Sequence, residues 1–163
     1  MSEKFVVCNS DKCLGCGICE FVCSATKDKS LNPSFSRIRQ VNFEPIGSMA
    51  IACLLCEEPS CVAVCSRDAL LKDEKGVIRV DEYKCNGCGW CIRACEFGAM
   101  MLHPTKKAVM TCDLCDGDPE CVKHCPFEDA LTYATIEEVA HKLRKEAVDN
   151  MLRVIKAGAK SSS

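Results

Sequence analysis

Sixteen of the seventeen cysteines in this 163-residue chain fall into four groups of four. No other feature restricts the fold so sharply. Group three is the tightest: Cys85, Cys88, Cys91 and Cys95 lie within eleven residues, spaced Cys-x2-Cys-x2-Cys-x3-Cys. Group one, Cys13, Cys16, Cys19 and Cys23, repeats that spacing. Group two is Cys53, Cys56, Cys61 and Cys65 (x2, x4, x3), and group four is Cys112, Cys115, Cys121 and Cys125 (x2, x5, x3). Three thiolates within seven residues suit three corners of an inorganic cube. A single tetrahedral ion usually takes two separated Cys-x2-Cys pairs. In the bacterial run of this spacing the fourth cysteine ligates a different cluster, so each run demands a partner run. [4Fe–4S] clusters are the expected occupants, with structural zinc and disulfides the weaker alternatives.

The chain also repeats itself. Lys12-Cys13-Leu14-Gly15-Cys16-Gly17-Ile18-Cys19 matches Lys84-Cys85-Asn86-Gly87-Cys88-Gly89-Trp90-Cys91. Cys53-Leu54-Leu55-Cys56 through Asp68-Ala69-Leu70 matches Cys112-Asp113-Leu114-Cys115 through Asp129-Ala130-Leu131. A unit of two groups, about 70 residues long, is used twice. The glycines at equal offsets in groups one and three let backbone N–H groups face cluster sulfides. Ordinary turn formation is their plainer role.

Cysteine this dense first suggests a secreted disulfide scaffold. The start, Met1-Ser2-Glu3-Lys4-Phe5-Val6-Val7-Cys8, has no apolar h-region and no twin arginine. The expectation is therefore a cytoplasmic protein with reduced thiols. No apolar stretch approaches the roughly 20 residues that span a bilayer. One Trp, two Tyr and six Phe cannot build a large aromatic core. Clusters are expected to fill part of the interior, and the fold to depend on them. The formal charge of −2 counts every cysteine as neutral. Four loaded sites at about −2 each would bring the total to roughly −10.

Between the groups, Phe5–Cys8 is β-prone and Asn9–Lys12 reads as a turn. Arg37–Phe43 suggests a strand ended by Pro45 and Gly47. Gly76–Val80 is a turn and short strand, and Ala99–Leu102 an apolar piece stopped by Pro104. Thr135-Ile136-Glu137-Glu138 is a capping box. Ile136, Val139, Ala140, Leu143, Ala147, Val148, Met151, Leu152 and Ile155 then follow helical spacing. That helix should reach about Lys156 and end near Gly158, leaving a frayed tail over 159–163.

The four spacings, with the longer loops in groups two and four, resemble the four-cluster ferredoxin subunits of the dimethyl sulfoxide reductase, formate dehydrogenase and hydrogenase families. The resemblance covers roughly residues 5–133. It implies that group one pairs with group four and group two with group three. Cys13, Cys16, Cys19 and Cys125 would hold one cluster, and Cys112, Cys115, Cys121 and Cys23 a second. Cys53, Cys56, Cys61 and Cys95 would hold a third, and Cys85, Cys88, Cys91 and Cys65 the fourth. It further implies an α+β fold of two ferredoxin-like modules, the inner (53–99) nested in the outer (1–52 and 100–134), followed by a C-terminal docking helix over 135–158. Two departures stand out. The proline usual after the fourth cysteine follows only Cys125, with Ser24, Ser66 and Glu96 elsewhere. The chain is also short and without a membrane anchor. Compact versions look like the small subunits of tungsten-dependent aldehyde oxidoreductases and benzoyl-CoA reductases.

No nucleophile–base pair, carboxylate dyad or phosphate loop appears, so catalysis by the chain itself is not expected. The expected role is a relay of single electrons through four [4Fe–4S] clusters. Its partners would be a tungsten or molybdenum catalytic subunit and an external donor or acceptor, in a hetero-oligomer. The alternatives are a molybdenum dimethyl sulfoxide reductase-type, formate dehydrogenase or hydrogenase subunit, and a zinc-bound interaction module. Cys8 is expected as a small core residue, Trp90 as a shield over a cluster, and His124 as a solvated loop residue. His103 and His141 show no ligand partner. Lys142, Arg144, Lys145, Arg153 and Lys156 form the wet face of the last helix, and no aromatic interleaving points to nucleic acid.

Overall fold

A computed structural model describes residues 4–45 and 47–160, with the backbone alone over 156–160. The regular elements are short because the chain is diverted every few residues to present a cysteine. Strand β1 (Phe5–Cys8) leads through a turn into group one, and helix α1 (Ile18–Asp28) starts inside that group. Its cap, Gly17, is left-handed at φ 73°. The hairpin β2 (Arg39–Phe43) and β3 (Gly47–Ile51) follows. Next come α2 (Ser60–Ala63), β4 (Leu70–Lys72), β5 (Ile78–Val80) and α3 (Trp90–Ala94). Then come β6 (Met101–Leu102), β7 (Val109–Met110), α4 (Glu120–Lys123), β8 (Leu131–Ala134) and α5 (Ile136–Lys160).

Four two-stranded sheets result: β1–β8, β2–β3, β4–β5 and β6–β7. The last three are antiparallel, with Arg39 opposite Ile51, Leu70 opposite Val80 and Met101 opposite Met110. This is the mixed helix and small-sheet architecture of a ferredoxin-type domain. Residues 5–133 form one compact unit, and α5 belongs to a separate one. The core mixes Val6, Ile38, Leu70, Val77, Ile78, Met100, Val109 and Leu131 with seven buried cysteines. Among the described residues no Phe, Tyr or Trp is buried.

The duplication seen in the sequence is carried by the backbone. Gly89 caps α3 at φ 81°, as Gly17 caps α1. Leu55 and Leu114 sit at φ 53° and 59°, and Asp68 and Asp129 at φ 48° and 63°. Positive φ costs a non-glycine residue about 1–2 kcal/mol. Its repetition at matched positions of both halves marks a shared demand, met by the site described below.

Three differences from the sequence reading have physical causes. The sequence reading places no helix over Ile18–Asp28, where α1 forms. A proline at position 24 would have removed an intrahelical N–H. Ser24 keeps that N–H, and its hydroxyl donates to Phe21 O at 3.0 Å, so the helix runs on to Asp28. Strand β3 carries small and polar residues and exists because β2 lies beside it. Helix α5 passes through Gly158 to Lys160. An interior glycine between alanines costs only about 1 kcal/mol. The rest of the expected frayed tail, 161–163, lies outside the described residues.

Candidate metal centres

Each cysteine is placed by a local device. Gly17 and Gly89 turn the chain so that Cys19 and Cys91 ride on the first turns of α1 and α3, both buried. Pro59 and Pro119 start α2 and α4, which carry Cys61 and Cys121 into the core. The left-handed leucines 55 and 114 aim their backbone N–H groups at the thiols of Cys53 and Cys112.

Tertiary structure then brings distant groups together. Cys13, Cys16, Cys19 and Cys125 line one small cavity. Gln40, Ala50, Phe127 and Leu131 close it. Cys85, Cys88, Cys91 and Cys65 line a second of similar size, with Trp90 and Arg67 at its wall. The other eight cysteines are near enough to feel one another's charge. Burial first, then the charges of Cys112, Cys23 and Cys115, push the Cys121 thiol up. Burial first, then Cys53, Cys95 and Cys56, push Cys61 up to about 11. Cys19 also acts through its charge on Cys121, and Cys53 on Cys112, so the groups are electrostatically coupled to one another.

A cluster needs thiolates and N–H donors, and both demands are visible. Burial raises Cys19 and Cys112 to about 12. Such sulfurs keep their protons until iron replaces them. Donors are already aimed at several sulfurs. Arg37 N lies 3.2 Å from Cys23 Sγ, Ala69 N 3.4 Å from Cys65 Sγ, and Ala99 N 3.3 Å from Cys95 Sγ. At Cys65 burial raises the thiol, but N–H groups of Arg67, Ala69 and Leu70 outweigh it, and the net shift is downward. Among the described residues no three His, Cys, Asp or Glu side chains converge as a single-ion site requires. Eight of the cysteines line the two cavities, four to each, an arrangement suited to a larger group than one ion.

Charged residues flank the set that contains Cys23. Lys27 Nζ lies 2.6 Å from Asp113 Oδ2, and Asp113 Oδ1 accepts from Cys115 N at 3.1 Å. Arg37 Nη1 lies 2.7 Å from Asp28 Oδ2. The sequence reading missed these residues, because a Lys or Asp between ligands looks the same whether paired or solvated. Leu55 and Leu114 were recoverable, since Cys-x-Leu-Cys recurs in both halves.

The other singled-out residues are placed as follows. Cys8 is half-buried, accepts from Ala50 N at 3.2 Å, and is raised to about 11 by burial first and then by neighbouring Cys13 and Cys125. Its side chain also hydrogen-bonds with Cys13, which lines the first cavity. Trp90 is 57% exposed, with the Arg93 guanidinium 5.7 Å from its ring centroid. His124 is exposed and faces Glu120. His141 is exposed on α5. His103, by contrast, is buried.

A 4Fe-4S dicluster domain model matches residues 47–133. The protein is 38% identical over 143 residues to the polyferredoxin-like subunit of an aliphatic sulfonate oxidoreductase of Pyrococcus furiosus, with 83% of each sequence covered. It is 34% identical over 157 residues to the B subunit of anaerobic dimethyl sulfoxide reductase of Escherichia coli, covering 82% of this sequence and 74% of that one. A solved benzoyl-coenzyme A reductase complex, BamBC, contains a polypeptide that is 26% identical, with 94% and 98% coverage and a TM-score of 0.49.

Proposed function

The protein belongs to the 4Fe-4S dicluster domain family, and from that premise we propose that it carries four [4Fe–4S] clusters as the electron-transfer subunit of an oxidoreductase complex. The observation that supports crossed ligation is the convergence of group one with Cys125 and of group three with Cys65, each around its own cavity; the number four follows from sixteen cysteines in four groups of four. The proposed ligand sets are Cys13, Cys16, Cys19 and Cys125; Cys112, Cys115, Cys121 and Cys23; Cys53, Cys56, Cys61 and Cys95; and Cys85, Cys88, Cys91 and Cys65. The two modules are nested, because the third and fourth sets draw only on residues 53–95 while the first and second join the outer segments.

Bound clusters supply reversible one-electron chemistry. The protein's own residues do the rest. Cysteine thiolates fix the spacing of the sites. Backbone N–H groups of Arg37, Ala69, Ala99, Leu55 and Leu114 stabilise charge on the ligand sulfurs. Burial keeps water from seven of the sixteen sulfurs and raises the cost of each added electron there. The electrostatic coupling of Cys19 to Cys121, and of Cys53 to Cys112, supports a relay that links the first three sets in that order.

The catalytic partner is proposed to be a tungsten enzyme of the aldehyde oxidoreductase type, on the resemblance stated for compact subunits. The relation to the B subunit of dimethyl sulfoxide reductase keeps a molybdenum partner as the second reading. No helix among the described residues is long and apolar enough to cross a membrane. Sixteen ligand thiols need a reducing compartment, so the cytoplasm is the proposed location. Helix α5 exposes Ile136, Leu143, Val148, Met151, Leu152 and Ile155, and is proposed to dock on the partner.

The test is anoxic purification with iron, acid-labile sulfide and metal analysis. The expected result is about sixteen irons and sixteen sulfides per polypeptide, four for each [4Fe–4S] cluster. Co-purification of a tungsten or molybdenum subunit from native cells would identify the partner class. A colourless, zinc-loaded protein would end the reading.

A further inference from the structure

We propose that His103 is a positioning residue that holds up the reduction potential of one cluster, that of Cys23, Cys112, Cys115 and Cys121, acting as a hydrogen-bond donor through Asp28 and Arg37. The inference rests on the ligand sets proposed above and goes beyond them.

Helix α1 carries Cys23 and, one turn on, ends at Asp28. The Asp28 carboxylate joins two segments far apart in sequence. Its Oδ2 accepts from Arg37 Nη1 at 2.7 Å, and its Oδ1 lies 3.3 Å from His103 Nε2. The His103 ring is buried, and its other nitrogen is already engaged. Nδ1 accepts from Thr105 N at 3.3 Å and from Lys106 N at 3.2 Å. A nitrogen that accepts from two backbone N–H groups carries no proton, so the ring proton is on Nε2 and points to Asp28. The contacts of Nδ1 thereby leave Nε2 as the nitrogen that donates to Asp28. Burial alone would raise the Asp28 carboxyl, but hydrogen bonds from Arg37 and His103 outweigh it and hold the carboxyl below its ordinary value.

The same segment delivers the donor to the ligand sulfur. Arg37 N–H donates to Cys23 Sγ at 3.2 Å. Residues on either side hold this N–H in place. The fully buried Ser36 donates from Oγ to Ile38 O at 2.7 Å and accepts from Ile38 N at 3.2 Å, bridging across Arg37. The ring of Phe35 meets His103 edge-on, with centroids 5.3 Å apart. His103 therefore bears on the 35–38 segment twice, through Phe35 directly and through Asp28 to Arg37.

A donor on a ligand sulfur favours the more negative, reduced state. A carboxylate freed of one partner near the site favours the oxidised state. Loss of the His103 donor acts through both and in one direction. The potential of this cluster falls.

Two substitutions separate the two ends of the ring. His103→Asn keeps an acceptor where Nδ1 stands, so the 103–106 turn survives, but no donor reaches Asp28. His103→Gln places its amide N–H near the position of Nε2 and keeps the donor. Both are made in the full chain, purified without oxygen, and titrated electrochemically under electron paramagnetic resonance. A Cys23→Ser variant identifies the feature that belongs to this cluster. In His103→Asn that feature alone should move to a lower midpoint, while His103→Gln stays at the wild-type value. An unmoved midpoint in His103→Asn, equal shifts in Asn and Gln, or a shift in a different feature would overturn the assignment. So would loss of the cluster from both variants, which would make His103 structural. A wild-type protein with fewer than four clusters would instead sink the proposed function, independently of His103.

Discussion

At the residue scale the site depends on where a side chain is forbidden. Gly15 and Gly17 occupy left-handed backbone at φ +68° and +73°, but their surroundings differ. A Cβ on Gly17 would meet nothing within 4 Å. On Gly15 it would fall 2.5 Å from Ser48 Oγ, 2.7 Å from Asn42 Oδ1 and 2.9 Å from Gln40 Nε2. Those three atoms are bonded together: Gln40 and Ser48 both donate to Asn42 Oδ1, at 2.5 and 2.7 Å. Gly17→Ala should therefore cost about 1 kcal/mol, the left-handed penalty alone. Gly15→Ala should cost about 2–3 kcal/mol, because it also breaks that polar cluster beside the first cavity. Denaturation of the cluster-loaded variants would check the ranking, and equal losses would show that the β2–β3 hairpin does not press on Gly15.

At the element scale, α5 has the cap its sequence promised. Thr135 N donates to Glu138 Oε2 at 2.8 Å, and Glu138 N donates to Thr135 Oγ1 at 3.2 Å. A helix with most of its apolar residues exposed relies on such local bonds more than a packed one does. Thr135→Ala should weaken α5 by about 1 kcal/mol. Amide hydrogen exchange in its first turns should then quicken about fivefold, with the visible spectrum unchanged. The cap was readable from four adjacent residues because all its partners are within one turn. The extension of α1 was not so readable. It depends on Ser24 standing where a proline was usual, and on the 33–38 segment packing beside the helix.

At the scale of the molecule, thiols are shared between the two ends of the compact unit. Cys125 lines the same cavity as Cys13, over a hundred residues away. Cys125→Ser should abolish or convert the cluster of Cys13, Cys16 and Cys19 and leave that of Cys112, Cys115 and Cys121 in place, as read by paramagnetic resonance. The opposite outcome would refute the crossed ligation. Proton linkage gives a second expectation. Burial raises Cys19, Cys61 and Cys112 from the ordinary 9.0 to about 11–12. In a cluster-free protein, thiols whose pKa is raised on folding favour the fold fully below pH 9, and that contribution is lost as pH rises toward 12. In the loaded protein iron has displaced those protons, so acid competes for the sulfurs. Chelator-driven bleaching should accelerate as pH falls from 8 toward 6, with loss of circular dichroism following the loss of colour. Bleaching that is independent of pH would contradict this linkage.

The spacing of the cysteines determined, with no structure in hand, what kind of group this protein binds and which residues offer thiols. Ligands two to five residues apart are placed by local turns, and local turns are written in local sequence. The tertiary structure alone decided that a histidine without a ligand partner reaches, through Asp28 and Arg37, toward the sulfur of Cys23. His103 and Asp28 alone lie 75 positions apart. Their meeting depends on the packing of α1 against the loop after β6, and no spacing along the sequence encodes a contact that forms only when two distant surfaces are buried together.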